Sequence, residues 1–180
     1  MTVLVTGGAA SGKSEFAEKA ACALSHGRKA YLATMISADR ETDKKIAVHI
    51  KRRADMGFDT LECPYALPDA GALKKYDTVL LECLSNLTAN VMFRSLPPDS
   101  RTAEKITAAL KNLAASSENT VIVTNEVFSA GVSYGGETIG YMKALSAINR
   151  VAAAGADAVI ECVCGVPVYY KGRSEEIFGK

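Results

Sequence analysis

The sequence predicts a three-layer α/β fold: a mostly parallel sheet with helices on both faces, closed by a C-terminal antiparallel hairpin at one edge. Three observations predict it. Short apolar runs alternate with amphipathic stretches along the chain. The runs are apolar throughout rather than alternating apolar with polar, which is how strands buried on both faces read. The last two runs stand too close together for a helical crossover, so they pair antiparallel.

Each element follows from its residues. Val3 to Thr6 is a buried strand ending at Gly7-Gly8. Ser14 to Leu24 is a helix, with Phe16, Ala17, Ala20, Ala21 and Leu24 at helical spacing. Lys29 to Thr34 reads as a strand. Asp39 to Ala54 reads as a charged helix in which Ile46 and Ile50, one turn apart, anchor one side to the core. Thr60 to Cys63 is a short strand stopped by Pro64, and Asp77 to Glu82 a buried one. Leu84 to Phe93 is a helix that ends ahead of Pro97-Pro98. Ile106, Leu110 and Leu113 mark a further amphipathic helix, and Thr120 to Thr124 a further buried strand. Ser129 to Gly136, rich in Gly, Ser and Tyr, reads as a functional loop. Tyr141, Leu145, Ile148 and Ala152 recur on one face of a helix turned to a core. Ala158 to Val163 and Val166 to Tyr170 form the hairpin around Gly165-Val166-Pro167. No linker interrupts the pattern, which predicts a single domain over residues 1–180.

Composition narrows the function. A chain of 180 residues with 48% hydrophobic and 23% charged side chains is ordinary globular material. It buries a full core without staples, which excludes disordered, collagen-like and coiled-coil readings. Its 21 basic and 20 acidic side chains leave a formal charge of +1, which argues against a nucleic-acid partner. The opening MTVLVTGG has no basic region followed by a long apolar run, and no stretch approaches the ~18 apolar residues of a membrane helix. A cytoplasmic protein without membrane insertion is expected. The five cysteines include no CxxC pair, and with two histidines they do not suggest zinc. Buried cytosolic thiols are expected, with Cys162 and Cys164 two apart in a strand and on one face.

The chemistry begins at Gly7-Gly8-Ala9-Ala10-Ser11-Gly12-Lys13-Ser14, which fits G-x-x-x-x-G-K-[ST]. It follows a strand and opens a helix, the context a phosphate-binding P-loop requires. Successive backbone N–H groups would face a phosphate chain, aided by the helix N-terminus. Lys13 would reach the β and γ phosphates, and Ser14 would ligate Mg²⁺. An acidic residue at a strand end must organise that metal. Glu82 is the first candidate, at a strand end expected beside the P-loop strand, and Glu126 the second.

A second cluster surrounds His49. On a helix, Arg52 and Arg53 stand three and four residues beyond it. Flanking guanidinium groups disfavour the protonated imidazole, and a neutral imidazole is a nucleophile. The arginines would hold phosphate oxygens bidentately, which suits attack on phosphorus. The plainer alternative is a solvated basic face. His26, in a turn, carries no expected role. A small-molecule kinase or nucleotidyl transferase, a nucleotide-hydrolysing switch, and a non-catalytic nucleotide-binding protein all fit to this point. The absence of an N-K-x-D guanine signature counts against the switch.

The opening LVTGGAASGKSEFAE resembles that of the bifunctional adenosylcobinamide kinase / adenosylcobinamide-phosphate guanylyltransferase family of cobalamin biosynthesis. Further stretches match that pattern in order: Tyr31-Leu32-Ala33-Thr34, Ile46-x-x-His49-x-x-Arg52-Arg53, Thr60 to Pro64, Leu80 to Leu87, Val123 to Val127, and the Gly165-x-Pro167 hairpin before Lys171-Gly172. The resemblance implies a P-loop NTPase-type fold and two reactions. Adenosylcobinamide is phosphorylated by ATP or GTP. GTP then guanylylates His49, and adenosylcobinamide phosphate takes the GMP to give adenosylcobinamide-GDP. It implies catalytic roles for His49 and Lys13, and nucleotide contacts along Gly7 to Ser14. Further contacts are implied at Ala33, Thr34, Met35, Ile50, Lys51, Arg52, Arg53, Glu62 and Glu82. It also implies Mg²⁺ on Ser14 and Glu82, a small corrinoid substrate, and a homotrimer. The chain departs from some relatives at Val48, where they carry a second histidine, and in the longer loop from Phe128 to Gly135.

Overall fold

The computed structural model describes residues 1–37, 40–128 and 134–179, and within them every side chain except those at 41–45 and 49. In chain order the elements are β1 (Thr2–Gly7), α1 (Lys13–Leu24), β2 (Lys29–Ala33), α2 (Arg40–Arg53), β3 (Phe58–Glu62), α3 (Ala70–Leu73) and β4 (Thr78–Glu82). There follow α4 (Leu84–Met92), α5 (Thr102–Ser116), β5 (Asn119–Val123), α6 (Gly136–Gly155), β6 (Ala158–Val163), β7 (Val166–Lys171) and α7 (Ser174–Phe178).

The strands form one sheet in the order β3-β2-β4-β5-β1-β6-β7. Every pairing is parallel except β6 with β7, the predicted edge hairpin. The fully apolar runs are the interior strands. β5 is buried along its whole length and β4 along all but its last residue, whereas edge strand β3 is half-buried and edge strand β7 largely exposed.

Two apolar layers fill the faces. Leu73, Leu84, Leu87, Ile106, Leu110, Leu113 and Ile148 bring α3, α4, α5 and α6 onto one face. Ala17, Ala20, Ala21 and Leu24 of α1, with Ile177 of α7, cover the other. The small alanines of α1 let that helix lie close to β1, β4 and β5, so the loop that precedes it sits directly above the sheet. From β1 the chain turns toward β2 over one face, and from β5 it returns to β6 by α6 over the other. Ligands of open α/β sheets bind at such a reversal, beyond the carboxyl ends of the strands.

Several expectations are corrected. The strand expected at Thr60 to Cys63 runs Phe58–Glu62. Cys164 does not share a face with buried Cys162. It is exposed in the β6–β7 turn with a left-handed φ of +51°. Ile46 and Ile50 belong to neither apolar layer, and Ile50 is 56% exposed. Helices α3 and α7, four and five residues long, are too short to show a period in the sequence. β4 is not beside β1, because β5 lies between them. Asp39, expected to open the charged helix, and the loop residues 129–133 lie outside the described residues. Among the described residues, no helix is long and apolar enough to cross a membrane.

Candidate active site

The P-loop spans the carboxyl end of β1 and the start of α1. Its curl needs backbone that ordinary side chains disfavour: Gly7 has φ +150°, Ala10 +56° and Gly12 +88°. The Ser11 carbonyl accepts from the Gly165 N–H at 3.0 Å, which ties the loop to the β6–β7 turn. Lys13 Nζ donates to the Gly8 carbonyl at 2.9 Å, so the lysine lies folded back along the loop. The Ser11 hydroxyl is buried without a partner. A cavity of about 330 Å³ opens here, walled by Ala10 to Glu15 and, from α2, by Arg52.

Ser14 Oγ donates to Glu82 Oε1, in a short contact between α1 and the end of β4. Of the two carboxylates considered for the metal, Glu82 therefore meets the P-loop serine. Glu126 instead accepts the Phe128 N–H at 2.8 Å, while its own N–H donates to the Gly7 carbonyl. The Ser14 and Glu82 oxygens are the hard donors Mg²⁺ takes, and Mg²⁺ is commonly held by few protein oxygens together with substrate phosphates. Among the described residues no cluster of three His, Cys, Asp or Glu side chains offers a complete protein cage.

Beside the P-loop cavity lies a second one of about 210 Å³. Ala33, Met35, Glu62, Glu82 and Asn86 line it from the sheet side, and Ile46, Ile50 and Arg53 from α2. The two isoleucines expected in the core thus wall a cavity. Arg53 is 7% exposed, lies with Cζ 3.3 Å from the Tyr31 ring centroid, and has no hydrogen-bond partner for Nε. Burial and the Glu82 carboxylate push the Tyr31 phenol far above its usual range. A larger cavity of about 610 Å³ lies against Phe128, Tyr134 and α6 and shares no residue with the P-loop.

Other sequence candidates fall apart from these walls. Thr34 is fully buried, and its hydroxyl bonds the backbone N–H and C=O of Cys83 at 2.6 and 2.9 Å. Its side chain pins the β4–α4 turn rather than facing either cavity. Lys51 is exposed and lines neither cavity. The His49 backbone belongs to α2, and its side chain lies outside the described residues.

Two residues escaped the sequence reading. Glu18 is fully buried, and Arg52 grips it with two bonds, Nε to Oε2 at 2.5 Å and Nη2 to Oε1 at 2.7 Å. The signal was a glutamate among the alanines of an apolar helix face. Tyr31 donates to Glu82 Oε2 at 3.2 Å, and nothing in a buried KAYLA strand distinguishes that tyrosine from core packing.

A model of the cobinamide kinase / cobinamide phosphate guanyltransferase family matches residues 3–170. The chain is 31% identical over 177 residues to the bifunctional adenosylcobalamin biosynthesis protein CobP of Pseudomonas aeruginosa, covering 96% of this chain and 99% of that protein. Among solved structures, flagellar accessory protein FlaH of Methanocaldococcus jannaschii has a TM-score of 0.51 at 12% identity, over 99% of this chain and 80% of that one. ATP synthase subunit NeqB of Nanoarcheaum equitans has a TM-score of 0.54 at 11% identity, over 89% and 46%. The likeness to these two is one of fold alone.

Proposed function

The chain belongs to the cobinamide kinase / cobinamide phosphate guanyltransferase family, and from that premise we propose two successive reactions at one P-loop. ATP or GTP first phosphorylates the aminopropanol hydroxyl of adenosylcobinamide. A nitrogen of the His49 imidazole then attacks the α phosphorus of GTP and pyrophosphate leaves. A phosphate oxygen of adenosylcobinamide phosphate displaces the histidine and yields adenosylcobinamide-GDP. Forming and breaking a phosphorus–nitrogen bond splits one hard transfer into two easier ones.

The observation that carries this reading is the place of α2 between two cavities. The helix that bears His49 contributes Arg52 to the wall of the phosphate cavity and Ile46, Ile50 and Arg53 to its neighbour. The neighbouring cavity suits a purine base. Its apolar walls stack on a flat ring, and the Glu62 carboxylate offers two acceptors to the N1–H and amino group of guanine. In the phosphate cavity the P-loop N–H groups and Lys13 hold the triphosphate. Ser14 and Glu82 hold Mg²⁺, which when bound neutralises charge developing on the phosphates. Residues 1–180 act as one nucleotide-binding domain. The enzyme works as a homotrimer on a small corrinoid.

A labelling experiment tests the histidine. The protein and its His49→Asn variant are incubated with Mg²⁺ and GTP labelled at the α phosphate, then assayed for acid-labile protein-bound label. Label on the unaltered protein alone, discharged by adenosylcobinamide phosphate, is the expected result. Equal label on both proteins moves the nucleophile elsewhere. No label on either, with GTP still bound, leaves a P-loop kinase in which the basic helix is a phosphate clamp.

A further inference from the structure

We infer that Tyr31 is a positioning residue for the chemistry at the P-loop: its hydroxyl fixes the Glu82 carboxylate, and its ring seats Arg53 of α2 against the same site. Tyr31 has this role only if the P-loop holds a metal-bound nucleotide, as proposed above. The side chain is 4% exposed at the centre of β2. Its Oη donates to Glu82 Oε2 at 3.2 Å, while Ser14 Oγ donates to Oε1 of the same carboxylate. A carboxylate held at both oxygens does not rotate, so Oε1 stays turned toward the P-loop serine. Of the two holds, only that of Tyr31 is independent of Ser14, whose oxygen is the one a P-loop metal takes.

The ring does separate work. The Phe58 ring meets one part of it edge-on at 6.1 Å, and the Arg53 guanidinium stacks on it at 3.3 Å. Arg53 has a buried Nε without a hydrogen-bond partner, and the aromatic face lies against its guanidinium and favours its charge. One side chain thus touches both the carboxylate of the metal site and the arginine of the helix that carries His49. Loading the metal and filling the cavity under α2 share it.

Metal binding separates the two parts from activity. Mn²⁺ serves as the probe, with its binding to the protein and GDP followed by the electron paramagnetic resonance of free Mn²⁺. GDP affinity is measured in parallel in EDTA. If the unaltered protein binds no Mn²⁺ with GDP, the P-loop reading itself fails. Given that binding, Tyr31→Phe is expected to weaken Mn²⁺ about five- to tenfold, the effect of one ordinary hydrogen bond, with metal-free GDP affinity unchanged. Unchanged Mn²⁺ affinity overturns the inference, and so does an equal loss of Mn²⁺ and metal-free GDP binding, which marks plain packing. Tyr31→Leu removes the ring as well and is expected to lower metal-free GDP affinity too. Full retention of that affinity overturns the role assigned to the ring.

Discussion

Gly7 and Gly8 are neighbours of one residue type under opposite constraints. A Cβ on Gly7 would lie 2.5 Å from Ser11 Oγ and 2.6 Å from the Cys162 carbonyl oxygen, on backbone with φ +150°. A Cβ on Gly8 would meet nothing within 4 Å. Gly7→Ala is therefore expected to cost about 2–4 kcal/mol, strain and overpacking together, and to abolish nucleotide binding. Gly8→Ala is expected to stay within about 0.5 kcal/mol and to bind normally. Denaturant unfolding and a fluorescent nucleotide titration check both, and equal effects would refute the cradle as described. This contrast was legible in the sequence, because the P-loop pattern fixes a glycine at the first of the two positions only. The Tyr31–Glu82 bond was not, since its partners are 51 residues apart and join only through the register of β2 with β4.

Helix α2 is held unlike the others. No described residue of it enters either apolar layer, so the expectation that Ile46 and Ile50 anchor it was mistaken. A helical period shows that two side chains share a face. It does not show whether that face meets a core or a cavity. The described holds at its C-terminal turn are polar: Arg52 on Glu18 of α1, and Arg53 on Tyr31. Glu18 is fully buried and Arg52 is 29% exposed, so the pair is only partly screened. Arg52→Leu strands a buried carboxylate and is expected to cost about 2–3 kcal/mol, below the ~3–5 of a fully buried pair. Glu18→Leu with Arg52→Leu is expected to regain most of that stability, because two apolar groups replace the pair. Nucleotide affinity is expected to stay low, because Arg52 is gone from the wall of the P-loop cavity. A double variant that unfolds like the unaltered protein and also binds nucleotide as tightly would remove Arg52 from the site.

Across the whole molecule, the apolar runs made the parallel strands legible, because strands covered on both faces read that way, and the short gap between the last two runs made the edge hairpin legible. Strand order was not legible. That β5 lies between β1 and β4 depends on crossover packing, which leaves no local mark on the sequence. Burial carries a consequence for alkaline stability. Burial pushes the thiol of Cys63 up to about 11 from an ordinary value of 9.0, and raises those of Cys22, Cys83 and Cys162. It also pushes the Tyr141 phenol up to about 12 from 10.0. These groups stay neutral in the fold after their unfolded counterparts begin to ionise. Above about pH 9 the unfolded chain therefore binds fewer protons than the folded one, and stability falls as pH rises. The contribution is complete below pH 9 and is lost for Cys63 on the way to pH 11, where the folded thiol also ionises. Urea unfolding at fixed pH values from 7 to 11 is expected to show a plateau and then a decline. Cys63→Ala and Cys83→Ala, each less stable at pH 7 because a buried side chain is truncated, are expected to decline less steeply. The two thiols sit on opposite faces of the sheet, so their combined effect on the slope is expected to add. A decline with the same slope in the double variant would assign the alkaline loss to other groups.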